Sequence, residues 1–341
     1  MNMIAPLPAL ATTPDTTPFV SIVIPALNEA RYIAACITSL IGQWPEGAYE
    51  ILVLDGGSVD ATIGIVAELS ASNSAIVLQS NPGRIQSSAM NLAARIAAPQ
   101  ATILIRADAH ALYPVDFVQR CVRALLDNGA TSVVVPMHTS ARPKGLWQQA
   151  IAAAQSSRLG NGGAAHRVGA RSGFVGHGHH AAFDRAFFCG IHGYDETFTH
   201  NEDAELDVRA IAAGGKIWMC AEAPVVYYPR DRLDDLARQY FRHGAGRART
   251  LRKHHLSPRP RQMIPVLALF GCTAGVAIAP FAPAMASAVL LYPTTCLAWA
   301  LVEALRRRDP RMIAAGAALM TMHLAWASGL VIGFARKSSR Q

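Results

Sequence analysis

The chain has 341 residues, 51% of them hydrophobic and only 16% charged, enough for one large domain or for a domain with an appendage. Its net charge of +8 is uneven: residues 1–229 sum to −4, residues 230–261 to +7 and residues 262–341 to +5. The basic excess thus forms a collar beside an apolar C-terminal stretch, which suits a cytoplasmic membrane face and anionic lipid. No aromatic–basic reading surface accompanies it, so nucleic acid is not expected as a partner.

Residues 1–17 carry repeated prolines and no positive n-region, and read as a disordered lead-in rather than a signal peptide. From residue 18 strand and helix patterns alternate. FVSIVIPA at 19–26 reads as a strand, followed by a helix over 28–39 with Asn28 as its cap. Then come a strand at 49–54, a helix at 60–70, a strand at 75–79, a helix at 85–97 and a strand at 102–106. A helix over 114–128 and a strand over 132–136 complete the series. This rhythm predicts an α/β domain over 18–230, Rossmann-like, with a mostly parallel sheet and helices on both faces. Residues 158–180 are rich in Gly, Arg and His without periodicity and read as a long functional loop. The cysteines at 36, 121, 189, 220, 272 and 296 show no C-x-x-C pair and read as buried reduced thiols.

Ligands in such a sheet bind beyond the carboxyl ends of the strands, and chemistry-bearing residues stand there. The first strand ends in Pro25, Asn28 and Glu29; an Asn–Glu pair suits ribose hydroxyls or uracil edges, and equally suits a helix cap. In LDGGSVD, Asp55 can accept from the uracil imide N–H, although the motif also fits an ordinary turn. Gly83 and Arg84 precede a helix, where backbone N–H groups and a forked cation suit phosphate, and a plain cap with a surface arginine fits as well. Asp108 and His110 stand two residues apart at a strand end, spaced to bridge a divalent ion to a diphosphate, with histidine favouring Mn²⁺; a strand-end Asp without metal is the alternative. Glu202 and Asp203 open a helical run, where the dipole stabilises carboxylates; a solvated helix start is one reading, and a site with Glu202 on the acceptor or diphosphate side is the other. As a general base Asp203 would deprotonate an acceptor hydroxyl attacking an anomeric carbon, with inversion. His177, His179 and His180 match no common zinc spacing and are expected to line the acceptor side of a loop. Together these point to sugar transfer from a nucleotide donor. A nicotinamide dehydrogenase fits poorly, since no G-x-G-x-x-G follows the first strand.

Residues 231–262 read as a basic amphipathic interfacial segment, with Leu233, Leu236, Tyr240 and Leu251 alternating with arginines. Residues 263–335 form a membrane segment of two to three apolar spans, about 263–281, 284–304 and 312–334, each near the length of about 20 residues that one span needs. Arg306, Arg307 and Arg308 place the loop between the second and third spans in the cytoplasm, whereas the basic tail 336–341 would then lie outside.

In this order, P-A-L-N-E, D-G-G-S-x-D, the Asp108 triplet and E-D-A-E-L followed by R-A-I-A-A-G-G resemble the family 2 glycosyltransferases of GT-A fold, over residues 18–230. The resemblance implies a UDP-sugar donor, Mg²⁺ or Mn²⁺, and Asp203 as base. Within that family, R-A-D-A-H-A and Q-Y-F-R-H-G-A-G-R-A-R-T followed by apolar spans look like the succinoglycan-type exopolysaccharide transferases. That implies glucose transfer to a polyprenyl-diphosphate-linked sugar at the bacterial inner membrane, on the cytoplasmic side, alongside other exopolysaccharide assembly enzymes. Two departures stand out. The family usually has a second Asp where this chain has His110. Processive synthases carry Q-x-x-R-W, whereas Gln239 and Arg242, expected on the acceptor or diphosphate side, are followed here by His243. A single-addition enzyme is therefore expected, with a processive synthase and a catalytically silent membrane scaffold as the competing readings.

Overall fold

The computed structural model describes residues 17–141, 145–162 and 171–336. Residues 1–16 of the expected lead-in, 163–170 of the expected loop and 337–341 of the tail lie outside the described residues. The elements run β1 (Phe19–Ala26), α1 (Ile33–Leu40), β2 (Tyr49–Asp55), α2 (Thr62–Ser72), β3 (Ile76–Ser80), α3 (Gln86–Ile96), β4 (Ala101–Arg106), α4 (Phe117–Asp127), β5 (Ser132–Val135) and β6 (Met137–Thr139). Then follow α5 (Leu146–Gln155), α6 (Arg158–Asn161), β7 (Gly173–Phe174), β8 (His179–Asp184), α7 (Arg185–Gly190), α8 (Glu202–Ala212), β9 (Ile217–Met219) and β10 (Val225–Tyr227). The chain ends in α9 (Leu233–Lys253), α10 (Pro260–Ile278), α11 (Pro283–Ala286), α12 (Leu291–Arg307) and α13 (Ala314–Ala335). It divides into two compact units, one of residues up to Met137 with 169–226, the other of residues 138–168 with those from Tyr227 onward. The sequence pattern suggested one continuous α/β stretch to 230; residues 138–168 group instead with the C-terminal helices.

In the first unit an eight-stranded sheet has the order β3-β2-β1-β4-β8-β5-β9-β7. Strands β1 to β4 run parallel, and β8 enters antiparallel between β4 and β5. Alternation along each strand builds two cores. Val20, Ile22 and Ile24 join Ile51, Val53, Ile103 and Ile105 on one face, against Ile33, Ile37, Phe117 and Val118 of α1 and α4. Val23, Leu52, Leu54 and Leu104 face the other way, against Met90 and Ala93 of α3 and Phe183, Phe188 and Leu206. Each fully buried side chain of this size contributes about 1.5–3 kcal/mol. Arg185 fixes α3 to β4: its guanidinium donates to the carbonyls of Ala94, Ala97, Ala98 and Ala101, satisfying orphan acceptors at a helix end.

Two local expectations change. The first helix begins at Ile33, not at 28, because Asn28 is in the left-handed region (φ 57°) and its side chain serves another loop. The stretch 158–180 is not one loop, since α6, β7 and the start of β8 fall within it. Strand β8 reads as polar at its His179-His180 start, and only pairing on both sides with β4 and β5 makes it a strand. Of the cysteines, Cys36, Cys121, Cys220 and Cys296 are buried as expected, Cys272 is half-buried, and Cys189 is exposed.

In the second unit α9 lies along α13 at close range. A Cβ on Gly244 would stand 2.0 Å from the Trp326 carbonyl oxygen, and one on Gly329 would stand 2.0 Å from that of Phe241. Small residues permit such backbone approach. The apolar side of α9, with Leu236, Ala248 and Leu251 buried, is therefore covered by a helix of the same unit. This corrects the purely interfacial reading of that segment. Helix α5 packs Ile151 and Ala154 against Leu319 and Met322 of α13. Three helical stretches, Pro260–Ile278, Pro283–Arg307 and Pro310–Ala335, are long and apolar enough to cross a membrane. Ile264, Leu267, Phe270, Val276, Leu291 and Leu301 on the first two are exposed, as lipid contact would require.

Candidate active site

The register sets Ala26 beside Asp55, and Asp55 beside Ser80, so the ends of β1, β2 and β3 share one sheet edge. Pairing of β1 with β4 stops at Val23. Pro25, in a central strand, therefore lacks its N–H where no β4 partner remains. Asn28 donates its backbone N–H to Ser58 Oγ (2.8 Å) and accepts from Val59 N through Oδ1 (2.9 Å). It stitches the loops after β1 and β2 together and does not cap α1. Asp55 Oδ2 accepts from the backbone N–H groups of Gly57 (2.8 Å) and Ser58 (3.0 Å). Its Oδ1 is buried and has no hydrogen-bond partner among the described residues. A carboxylate fixed by one oxygen, with the other buried and unpaired among the described residues, can accept from a ligand N–H.

The turn after β3 holds Gly83 and Arg84. A Cβ on Gly83 would lie 2.4 Å from Ser88 Oγ, so only glycine lets this turn close on α3. Ser88 Oγ in turn donates to Asn81 Oδ1 (2.9 Å). Arg84 adopts a left-handed φ of 64° and is exposed, its guanidinium 3.8 Å from where a Gly57 Cβ would stand. The cation thus hangs over the Asp55 loop.

At the end of β4, Arg106 does what its place in the sequence did not reveal. The buried guanidinium donates Nη1 to Asp203 Oδ1 (2.9 Å) and Nε to Asp108 Oδ1 (3.3 Å). Carboxylates 95 positions apart in the chain are held on one cation because α8 starts beside the β4 end. The only signal available was a charged residue closing the apolar run ILIR. Tyr194 was also unforeseen: its hydroxyl donates to the same Asp203 Oδ1 (2.7 Å), and its backbone N–H is held by Asn91 Oδ1 (2.8 Å). Asp203 Oδ2 has no partner among the described residues, and 18% of the side chain is exposed. Burial pushes the Asp203 carboxyl up, but Arg106, His180, His179 and the Tyr194 hydrogen bond hold it well below the usual carboxylate range. For Asp108, burial is likewise outweighed by Arg106, His179 and His110, and its carboxyl is held low. Glu202 goes the other way: burial and then the Asp203 charge raise its carboxyl to about 7.

The antiparallel entry of β8 brings His179 Nε2 to 3.5 Å from Asp108 Oδ2. Burial, and then Arg106, depress the His179 imidazole to about 4, so it is neutral at physiological pH. His180 turns inward. Its Nε2 meets Asp207 Oδ1 at 2.8 Å and its ring stacks on Phe183. It is buried in the core and lines no acceptor surface, a correction to the loop reading. His177 Nδ1 meets Asp207 Oδ2 at 2.6 Å, so the cluster has carboxylate neighbours that the linear sequence hid. His110 is exposed, with Nδ1 3.0 Å from Glu29 Oε1. Gln239 and Arg242 lie on α9 in the second unit, and Gln239 Nε2 donates to Tyr227 Oη (3.1 Å).

A divalent ion at Asp108 would have to take much of its shell from a bound ligand, since among the described residues no group of three or more His, Cys, Asp or Glu is placed to hold one. Asp108 offers a carboxylate, His110 an imidazole oriented through Nδ1 by Glu29, and His179 a second, neutral imidazole. Such partial sets suit ions completed by substrate phosphate oxygens.

Comparison with known proteins bears on the same region. Residues 21–190 match the profile of glycosyl transferase family 2. Over 308 residues the chain is 42% identical to the succinoglycan biosynthesis protein ExoA of Rhizobium meliloti (strain 1021), covering 90% of this chain and 92% of that protein. It is 25% identical over 262 residues to a dolichyl N-acetyl-alpha-D-glucosaminyl phosphate 3-beta-D-2,3-diacetamido-2,3-dideoxy-beta-D-glucuronosyltransferase of Methanococcus voltae, covering 70% of this chain and 76% of that one. Among solved structures, the mannosyltransferase PcManGT of Pyrobaculum calidifontis, in complex with GDP-Man and Mn²⁺, superposes with a TM-score of 0.58 at 20% identity, covering 94% of this chain and 88% of the other. That likeness shows the GT-A type of fold. With the sequence identity to ExoA, it follows that the chain belongs to glycosyl transferase family 2 and is an ExoA-like glycosyltransferase.

Proposed function

We propose that the protein moves a hexose, glucose, from a UDP-sugar to a lipid-linked acceptor during exopolysaccharide biosynthesis, with inversion at the anomeric carbon. The observation that carries this is the Arg106 bridge, which fixes a base-like carboxylate and a diphosphate-side carboxylate on one guanidinium. The acceptor hydroxyl attacks the anomeric carbon as its proton passes to Asp203 Oδ2. The bond from that carbon to the diphosphate oxygen breaks, and UDP leaves with the electron pair. Because Oδ1 takes both the Arg106 and Tyr194 hydrogen bonds, Oδ2 is left pointing to the partner that must lose a proton. The low affinity of Asp203 for protons keeps it ionised and ready at neutral pH.

On the donor side, the unpaired Oδ1 of Asp55 accepts from the uracil imide, and Arg84 lies over the same loop for the phosphates. Glu29 acts by orienting His110. Asp108 and His110, with His179 beside them, would hold Mg²⁺ or Mn²⁺, which when bound offsets charge on the departing diphosphate. The polysaccharide context rests on the similarity to ExoA, and a lipid-linked acceptor is supported by the dolichyl-type substrate in the name of the Methanococcus relative. The apolar helices and basic collar support a bacterial inner-membrane enzyme with its catalytic unit facing the cytoplasm.

Calorimetric titration with UDP, paired with a transfer assay, tests the assignment. Asp203→Asn should bind UDP as the wild type does but lose transfer by about 10²–10⁴-fold, the usual share of a general base. Asp55→Ala should weaken UDP binding about tenfold or more. Undiminished transfer by Asp203→Asn would remove the base assignment.

A further inference from the structure

The second unit contains arginines that its own carboxylates do not balance. Arg247 lies near the end of α9, while Arg259 and Arg261 flank Pro260, the first residue of α10. Arg247 Nε is buried and meets no hydrogen-bond partner among the described residues. Arg261 Nη1 donates to the Gly162 carbonyl (2.9 Å), which anchors that guanidinium without neutralising it. Among the described ion pairs of this unit, Asp234 and Asp235 serve Arg232 and Arg238, Glu303 serves Arg306 and Arg307, and Asp309 serves Arg311. None reaches Arg247, Arg259 or Arg261. Ala248 and Leu251 of α9 pack in one cluster with Met263 and Val266 of α10, which brings Arg247 to the start of that helix, and burial, then the like charges of Arg259 and Arg261, hold its guanidinium below the usual arginine range. The start of α10 adds the positive end of a helix dipole.

Gathered guanidiniums with an unused buried donor call for an anion rich in oxygens, and phosphate is the common one. What lies next to them selects the kind of phosphate. Ile264 and Leu267, within two turns of the cluster on α10, are 66% and 67% exposed. A charged head beside a bare apolar helix is the complement of an amphiphile.

We propose that Arg247, Arg259 and Arg261 bind the phosphate-bearing head of a membrane lipid whose chain runs along the exposed apolar side of α10. Under the function proposed above, on which this identification rests, the lipid is the diphosphate carrier of the acceptor. An anionic phospholipid offers the same chemistry. This set also differs from the Gln239 and Arg242 pair that the sequence put forward, in which the Gln239 Nε2 donates to Tyr227 and its Oε1, an acceptor, offers nothing to a phosphate.

The test uses the full chain in phosphatidylcholine nanodiscs containing a small fraction of polyprenyl diphosphate or, separately, of phosphatidylglycerol, with retained lipid read by native mass spectrometry. Wild type should retain polyprenyl diphosphate. Arg247→Gln, and the pair Arg259→Gln with Arg261→Gln, should each lower retention about tenfold or more. Arg311→Gln, whose partner is Asp309, should not, and an unchanged thermal midpoint in the same nanodiscs shows that each variant is folded. Transfer assays should show a raised KM for the lipid acceptor with kcat and donor KM unchanged. Retention of phosphatidylglycerol alone, lost in the same variants, would uphold a lipid-phosphate site but contradict its assignment to the acceptor carrier. Equal retention by variants and wild type would overturn the site while leaving the transferase reading untouched.

Discussion

Arg106 is the residue on which the proposed chemistry turns. Buried guanidinium and carboxylates offset one another only while all are present. Arg106→Leu leaves Asp108 and Asp203 as uncompensated charges, and should destabilise the fold by about 3–5 kcal/mol as well as abolish transfer. Chemical denaturation of the variant against wild type checks this; an unchanged midpoint would show that the bridge carries no stability. Glu202 yields a pH-dependent expectation. Its folded carboxyl holds a proton up to about 7 against an ordinary value of 4.5, so its contribution to stability is full below 4.5 and is lost as pH rises through about 7. Glu202→Gln should therefore raise the thermal midpoint above pH 7 by several degrees and have little effect near the ordinary carboxyl range. An equal shift at both pH values would contradict it. Asp55, Asp108 and Asp203 were legible in the sequence because each follows a pattern that ends a strand or begins a helix. Arg106, Tyr194 and Asp207 were not, since their roles come from partners tens of positions away in the chain.

Among the elements, those with strong local periodicity were legible to within a few residues, and those created by tertiary pairing were not. Strands β1 to β5 and helices α2 to α4 follow apolar patterns that match their burial. Strand β8 begins with two histidines and owes its conformation to neighbours on both sides, which no window of sequence reports. Helix α9 looked like a helix for a membrane surface because its arginines dominate the pattern. Its Gly244 had a different use, visible only once α13 lay against it. Gly329→Ala places a methyl group 2.0 Å from the Phe241 carbonyl oxygen and should destabilise the helical unit by about 1–3 kcal/mol. Gly271→Ala, with no atom within 4 Å of its Cβ position, should be neutral. Thermal unfolding of both variants in the same detergent compares them directly, and equal midpoints would refute the close-packing account.

At the scale of the whole molecule, a family 2 glycosyltransferase unit is joined in one chain to helices fit to cross a bilayer, and the basic residues concentrate where those helices begin. That distribution was readable from charge and hydropathy alone, whereas the grouping of residues 138–168 with the helices was not. Under the proposed function, such a chain brings a soluble donor to an acceptor confined to the membrane. The direct test is to incubate membranes bearing the full chain with labelled UDP-glucose, Mn²⁺ and a polyprenyl-diphosphate-linked galactose, with Asp203→Asn as control. Wild type should move a single glucose into the lipid fraction in β linkage, the inverse of the donor, and Asp203→Asn should move about 10²–10⁴-fold less. Label left in the aqueous phase, a retained α linkage, or equal transfer by Asp203→Asn would contradict the account.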